Sequence, residues 1–316
     1  MSSSGYSTSG YTATETDGLM ARQGQPEVIA PDVINDLKSV QRCADAEVRG
    51  LAWPTLIMAA SEIASFALIS GFTITGALPV WAAALLNLPV YFVLYTGLHE
   101  TAHRNYHGRN KAMRWVNHVY GVIIGCIMFY PYSMHDYIHL THHANTNDPE
   151  KDPDAWMRGH SFAAVFARAA TLSWRYWSFT ISNKLKEPGG GKFLAKIALQ
   201  FTPTLIALTA LIAAGLWQVA LFAWFGSLVV AVGILGVCFD WIVHHPHKDK
   251  SLLGGTRVFA ARTGWKRHAL KAALLGQNYH LIHHIHPRTP FYRYDRVFER
   301  SEDFLRAQGV KIIEVS

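Results

Sequence analysis

Four short clusters hold most of the 17 histidines of this chain. In chain order the clusters contain His99, His103 and His107; His135, His139, His142 and His143; His244, His245 and His247; and His280, His283, His284 and His286. Residues three or four positions apart share one face of a helix, so a cluster can aim two or three imidazoles at one point. Neutral imidazole is a common ligand for iron, copper and zinc. The spacing therefore indicates metal binding.

The number and type of these side chains narrow the kind of metal site. Eight ligands from the spacings at 99–103, 139–143 and 280–284 exceed the four of a tetrahedral site, which favours two metal ions. The three cysteines, Cys43, Cys126 and Cys238, are far apart and lack C-x-x-C spacing. This argues against a disulfide framework, an iron-sulfur cluster and a cysteine-based zinc site.

Four apolar runs, 51–72, 74–98, 197–217 and 218–239, are each about long enough to cross a bilayer. The short segments "GFT" and "LWQ" predict a tight turn within each successive pair. We therefore expect an all-α integral membrane protein with four transmembrane helices in two hairpins. Between the hairpins, residues 116–131 are too short to span and predict a helix against the membrane face.

The positions of the 29 lysines and arginines predict the orientation. None lies in either hairpin turn, so the N-terminus, the segment between the hairpins and the C-terminus are expected on the cytoplasmic side, with a helical cap that carries the histidines. The net charge of +7 fits bilayer-flanking cations, and no basic run with interleaved aromatic residues indicates nucleic acid binding.

The organisation along the chain follows from these features. Residues 1–30 are expected to form a disordered polar tail, because they are rich in Ser, Thr and Gly and lack the pattern of a signal peptide. Residues 31–300 are expected to form one membrane domain, which begins with an amphipathic helix at the interface. Residues 301–316 are expected to be a C-terminal tail.

The order H-x-x-x-H, H-x-x-H-H and H-x-x-H-H, divided by membrane spans, resembles the histidine boxes of the membrane fatty acid desaturase superfamily, which includes carotenoid hydroxylases and ketolases. The likeness covers residues 50–300. "HHANTNDPEKDPD" and "NYHLIHHIHPRTPFYRY" are most similar to cyanobacterial-type β-carotene hydroxylases.

This resemblance implies a centre of two iron ions that uses O2 as co-substrate. The ligands implied by the boxes, together with a further one at the end of the last span, are His99, His103, His139, His142, His143, His280, His283, His284 and His244. Further candidates to bind metal or to accept hydrogen bonds from its ligands are His107, His135, Asp240, Asp152, Asp154 and Asn278. Glu100, Asp136 and Asp148 are candidates for the hydrogen-bonding role alone.

The implied activity is O2-dependent oxidation of C–H bonds in a long apolar lipid, with hydroxylation of β-carotene-type rings as the first candidate. A fatty acyl desaturase, or an alkane or carotenoid oxygenase of the same superfamily, is the alternative. Because the chain lacks a dinucleotide-binding, haem or rubredoxin motif, electrons are expected from an external carrier such as a ferredoxin. The non-enzyme alternative is a membrane protein whose histidines bind haem or transport a metal ion.

Overall fold

The computed structural model describes residues 34–316, and the tail expected over residues 1–30 lies outside this range. Four helices in the described range are long and apolar enough to cross a membrane: the first span Trp53–Ile74, the second span Val80–Ala102, the third span Gly190–Ala213 and the fourth span Val219–His244. The expected all-α membrane architecture is confirmed. Residues 75–79 connect the two helices of the first hairpin, and residues 214–218 connect those of the second. These connections lie at or within a few residues of the turns expected at "GFT" and "LWQ".

Large apolar side chains on the outer faces of the spans are exposed. Ile57 is 64% exposed and Leu199 is 72% exposed. A continuous apolar surface of this kind is unfavourable in water but is expected where lipid covers a helix. The first and third spans therefore present their apolar faces to the bilayer.

Polar side chains of the second span fasten it to the fourth. Asn87 Nδ2 donates to the carbonyl of Ala223 at 2.7 Å, and the Tyr91 hydroxyl donates to the carbonyl of Trp224 at 3.1 Å. These carbonyls lie in a π-helical stretch, Val219–Gly226, and a second π-helical stretch is Gly236–Trp241. A π-helical turn changes the hydrogen-bonding pattern of the backbone, and in lipid every free carbonyl needs a partner.

The segment between the hairpins begins with a bent pair of helices, Lys111–Ile127 and Tyr132–Ala144, whose axes differ by 100°. The first of these is the short helix expected near residues 116–131. The second carries the 135–143 histidines and packs against the second span. The short helices Pro153–Met157, Phe162–Ala169 and Leu172–Lys184 complete this segment.

A helical cap covers one end of the four spans. It contains the helices Leu37–Ala46, Gly264–Ala273, His280–Ile285 and Tyr294–Ala307, and two parallel strands, β1 (Val258–Ala261) and β2 (Ile312–Val315). The buried residues Leu281, Ile282, Tyr294 and Val297 form its core. Residues 301–316, for which the sequence predicted a tail, hold the end of the last helix and β2.

Two helices continue about one turn past the apolar runs that define them. The second span ends at Ala102 and therefore includes His99, while the fourth span reaches His244. The sequence placed every clustered histidine outside the spans. The structure corrects this placement, because helical hydrogen bonding continues beyond the last apolar side chain and ends only where the backbone turns. Arg104, with φ of 63°, is the turning residue after the second span.

Candidate metal centre

Four helices deliver the histidines to one region beneath the cap. The second span supplies His99 at its end, with His103 as the residue that caps it, and Tyr132–Ala144 supplies His139, His142 and His143. His244 ends the fourth span, and the short helix His280–Ile285 supplies the rest. Because these helix ends all lie on the capped side, residues up to 184 positions apart in sequence meet there.

One group consists of four buried histidines whose ligand atoms all lie within 4.8 Å of one another: His99, His103, His139 and His283. Within it, Nε2 of His103 lies 2.7 Å from Nε2 of His139, and Nε2 of His99 lies 3.1 Å from Nε2 of His283. The ring edges that carry the ligand atoms therefore face each other.

A second group of four buried histidines has the same property: His142, His244, His280 and His284. Here Nε2 of His280 lies 3.0 Å from Nε2 of His244 and 3.1 Å from Nε2 of His284. His143 lies between the groups, since it forms a smaller cluster with His283 and His284. All nine histidines proposed as ligands from the sequence thus belong to adjacent groups.

Hydrogen bonds at the opposite ring nitrogen fix the tautomer of several of these histidines. Nδ1 of His142 lies 3.0 Å from Oδ1 of Asp152, Nδ1 of His244 lies 3.3 Å from the carbonyl oxygen of Gly255, and Nδ1 of His280 lies 2.6 Å from Oε1 of Gln277. These oxygens only accept hydrogen bonds, so each ring donates from Nδ1. In the neutral rings Nε2 then carries a lone pair directed into the group.

This arrangement calls for a cation. The Nε2 atoms of His244 and His280 are 3.0 Å apart, and with Nδ1 protonated in both rings their lone pairs face each other. When two metal–imidazole bonds of about 2.1 Å meet at a right angle, the two nitrogen atoms lie about 3 Å apart. The facing nitrogens therefore fit a shared metal ion.

Burial keeps most of these rings in the neutral form that binds metal. It lowers the pKa of His103, His139 and His283 well below the usual value, and neighbouring imidazoles lower it further. His142 differs: burial alone lowers its pKa, but the carboxylates of Asp152 and Asp154 outweigh burial and raise it to about 10. These carboxylates favour positive charge at His142, either a proton or a metal ion.

Sequence comparison agrees with this geometry. The family model described as "Fatty acid desaturase" matches residues 75–316. The chain belongs to the fatty acid desaturase family. It is also 25% identical over 266 residues to a protein named "Fatty acid desaturase" from Bacillus subtilis (strain 168), an alignment that covers 76% of this chain and 72% of that protein. For this desaturase-family chain, membership in an oxidoreductase family and the histidine groups together support a metal-dependent enzyme.

The further candidate residues occupy different positions around the histidine groups. Asp152 accepts the hydrogen bond of His142, and Oδ2 of Asp154 lies 3.4 Å from the same Nδ1. The fully buried His135 stacks on His139 with ring centroids 5.5 Å apart, but its ring nitrogens join neither group. Asp240 lines the adjoining cavity. All four therefore border the site.

Two other candidates point elsewhere. Nδ1 of His107 is paired with the side chain of Asn117, and Asn278 Nδ2 donates to the carbonyl of Phe259 in β1 at 3.0 Å. His107 lies away from the groups because the helix ends at residue 102. Beyond that point a spacing of four residues no longer places His107 on the same face as His103. Neither residue belongs to a histidine group.

Three acidic residues near the boxes have structural partners. Glu100 is fully buried and accepts from Asn105 Nδ2 at 3.1 Å and from the backbone N–H of Phe291 at 3.2 Å, which ties the second span to the chain after His286. Asp136 pairs with Arg104, and Asp148 pairs with Lys250. Of these, only Glu100 approaches a histidine of the groups, with Oε1 3.8 Å from Nδ1 of His99.

Three side-chain partners of the histidines were not singled out from the sequence. The Tyr294 hydroxyl lies 3.0 Å from Nδ1 of His283, Gln277 holds His280, and the Thr146 hydroxyl lies 3.5 Å from Nδ1 of His284. Gln277 precedes its partner by three residues, a spacing that could have indicated it. Tyr294 lies eleven residues after His283, and only the packing of the cap brings them together.

Two cavities of opposite character reach the histidines. A mostly apolar cavity borders His99, His139, His142, His244 and His280, and aromatic side chains form much of its wall: Tyr95, Phe129, Tyr130, Tyr176, Trp177 and Phe239. A polar pocket borders only His143 and His284 and is lined by Lys151, Lys250 and Thr256, among others. The centre therefore has one apolar approach and one polar approach.

Proposed function

We propose that this protein holds two iron ions and uses O2 to oxidise a C–H bond of a long apolar lipid, with hydroxylation of a carotenoid ring as the reaction. The observation that carries the proposal is the pair of four-histidine groups at the inner end of an apolar cavity. The proposed ligands of the first ion are His99, His103, His139 and His283, and those of the second are His142, His244, His280 and His284. His143 lies between the ions.

When bound, the irons would supply the O2 activation that side chains alone cannot perform. The residues of the chain do the rest. Asp152, Gln277 and Tyr294 hold three imidazoles in fixed orientations, which raises their strength as ligands. The aromatic cavity wall excludes water and orients an apolar substrate beside the histidines. The Tyr176 hydroxyl, which donates to Asp154 at 2.6 Å, keeps that carboxylate in place next to His142.

Two observations favour a carotenoid. The segments that follow the second and third boxes are most similar to those of β-carotene hydroxylases, and the cavity wall is rich in aromatic faces, which suit a rigid conjugated chain. Hydroxylation consumes O2, two electrons and two protons, and it releases the alcohol and one water.

Fatty acyl desaturation is the second candidate. It is favoured by the family match and by the name of the B. subtilis relative. It consumes the same reactants but removes two hydrogens from the substrate and releases two waters. Since both reactions start with removal of hydrogen, the histidine groups serve either one.

Product analysis separates the two. The chain would be expressed in a host that makes β-carotene, with its carotenoids and acyl chains compared against those of a host that carries the His283→Ala variant. Hydroxylated carotenoids are expected. New unsaturated acyl chains with unchanged carotenoids would instead establish the second candidate.

We also propose that the polar pocket faces the cytoplasm and that an acidic, ferredoxin-like carrier delivers electrons there. Support comes from Lys151 and Lys250, which line the pocket, and from its contact with His143 and His284. Opposite charges speed association and make it sensitive to salt. Turnover with a ferredoxin should therefore fall as ionic strength rises, and salt-independent turnover would contradict this docking.

The metal content of the purified protein tests the centre itself. We expect two irons per chain and no Soret band. A Soret band would support haem binding, and one copper without iron would support a metal-handling role, so either result would overturn the di-iron assignment.

A further inference from the structure

A second apolar cavity lies next to the first, on the side of the membrane-spanning helices. The inner chamber, the apolar cavity that reaches the histidines, shares Phe129, Ser173, Trp177 and Val232 with this outer chamber. The two chambers therefore meet at one set of side chains. These four side chains separate the two chambers, so an apolar molecule could move from one to the other only by passing between them.

The mouth of the outer chamber lies at the depth of the spans. Its wall includes Phe201 of the third span and Phe225 and Val229 of the fourth, and Phe225 is 44% exposed. None of the residues between 34 and 316 that line it carries a charge. At the helical rise of 1.5 Å per residue, the fourth span separates Val229 from His244 by about 22 Å. The outer chamber is thus apolar, lies far along the span from His244, and borders a partly exposed side chain on the side where a bilayer would supply lipid.

Phe129 occupies the boundary between the chambers in an unusual conformation. It lies at the bend between Lys111–Ile127 and Tyr132–Ala144, and its φ of 54° is in the left-handed region that bulky residues rarely adopt. Its ring packs on Trp224, with centroids 4.9 Å apart, and on Phe225, with centroids 5.5 Å apart. A glycine or asparagine would fit this backbone better, but neither would provide an aromatic ring at the boundary.

We propose that Phe129 is a specificity-determining residue that forms the constriction between the chambers and controls how far a long apolar chain from the bilayer reaches toward the histidines. This inference rests on the proposed function in one respect, namely that the substrate is a long apolar chain. Substituting a larger side chain should confine the chain to the outer chamber, and a smaller one should let it pass inward more freely.

Photolabelling of metal-free protein in lipid nanodiscs tests this. A fatty acid with a diazirine at the end of its chain is bound and irradiated, and the labelled residues are identified by mass spectrometry. In the wild-type protein we expect adducts in both chambers, for example on Phe239 inside and Phe225 outside. Phe129→Trp should lose the inner adducts and keep the outer ones, whereas Phe129→Ala should increase the inner adducts.

Two further variants make the test decisive. Val232→Phe narrows the same passage from the fourth span, so it should also remove the inner adducts if Phe129→Trp fails to fold. Phe222→Ala is the matched control, because Phe222 is an exposed phenylalanine of the same span that lines neither chamber. Its labelling pattern should equal that of the wild type.

Competition identifies the chain that occupies the path. Unlabelled β-carotene or unlabelled stearic acid should displace the probe from the inner chamber, and the stronger competitor indicates the substrate class. The proposal is overturned if neither competes, or if Phe129→Trp and Val232→Phe, both folded, label the inner chamber as the wild type does. Inner labelling that responds to Phe129 in a protein that oxidises no lipid would support the constriction while refuting the proposed function.

Discussion

Asp152 holds His142 through a 3.0 Å hydrogen bond between its Oδ1 and the ring Nδ1, and the same carboxylate is itself fixed by the backbone N–H groups of Asn147 and Asp154. The ring consequently has one orientation and one donor position. His142 thus directs Nε2 into its group, where a metal ion can take the place of a proton. The hydrogen-bond acceptors around the histidines therefore contribute to how tightly the centre binds metal.

Asp152→Asn should weaken metal binding without preventing membrane insertion. An amide at this position no longer stabilises positive charge at His142, and loss of such a partner typically reduces metal affinity by about 10- to 100-fold. Iron retention after dialysis against graded chelator is the measurement. Asp148→Asn is the control, since Asp148 pairs with Lys250 at the surface, and it should retain iron like the wild type.

His142→Ala and His283→Ala should each abolish lipid oxidation and lower the iron content below two per chain, because each removes a ligand atom from a four-histidine group. The yield in the membrane fraction should stay normal. His118→Ala is the matched control: His118 is exposed, belongs to no group and should leave activity unchanged. Full activity in His283→Ala would contradict the proposed ligand set.

Tyr294→Phe should reduce iron affinity while leaving the fold intact, because it removes only the hydroxyl that lies 3.0 Å from Nδ1 of His283. About tenfold weaker binding is expected for a lost hydrogen bond to a metal-bound histidine. Titration of metal-free protein with Fe(II) measures this. Tyr292→Phe, two residues away and not in contact with a histidine of the groups, should bind iron normally; an equal loss there would point to a general effect on the cap.

His107→Gln should make the protein less sensitive to acid without loss of metal. Burial and nearby arginines lower the pKa of His107 to about 4, whereas the pKa of an exposed histidine is about 6.5. Its contribution to stability is therefore complete above pH 6.5 and declines as the pH falls toward 4, since the unfolded chain takes up the proton first.

Thermal unfolding in detergent at pH 7.5 and pH 5 measures this difference. The wild-type Tm should fall more between these pH values than the Tm of His107→Gln. Both proteins should hold the same amount of iron, because His107 contacts Asn117 and no histidine group. An iron deficit in the variant would instead make His107 a ligand.

The sequence alone determined the membrane architecture and which helix faces carry the clustered imidazoles. Apolar runs long enough to cross a bilayer have few stable alternatives to a helix, so the four spans followed from length and composition. The i, i+3 and i, i+4 spacings within boxes such as His99–His103 and His139–His143 placed imidazoles on common helix faces. The acidic segment after His143 also indicated Asp152 as a partner.

Only the tertiary structure decided how the histidines divide between the two groups and which residues support them. Neighbouring residues on a helix point about 100° apart, so His283 and His284 face different groups, and no local pattern states which group each one joins. His107 lies outside the groups because the helix ends before it. Gly255 and Tyr294 contact the histidines because of how the cap packs. Local spacing sets the direction of a side chain on its own helix, but its partners depend on how distant helices are brought together.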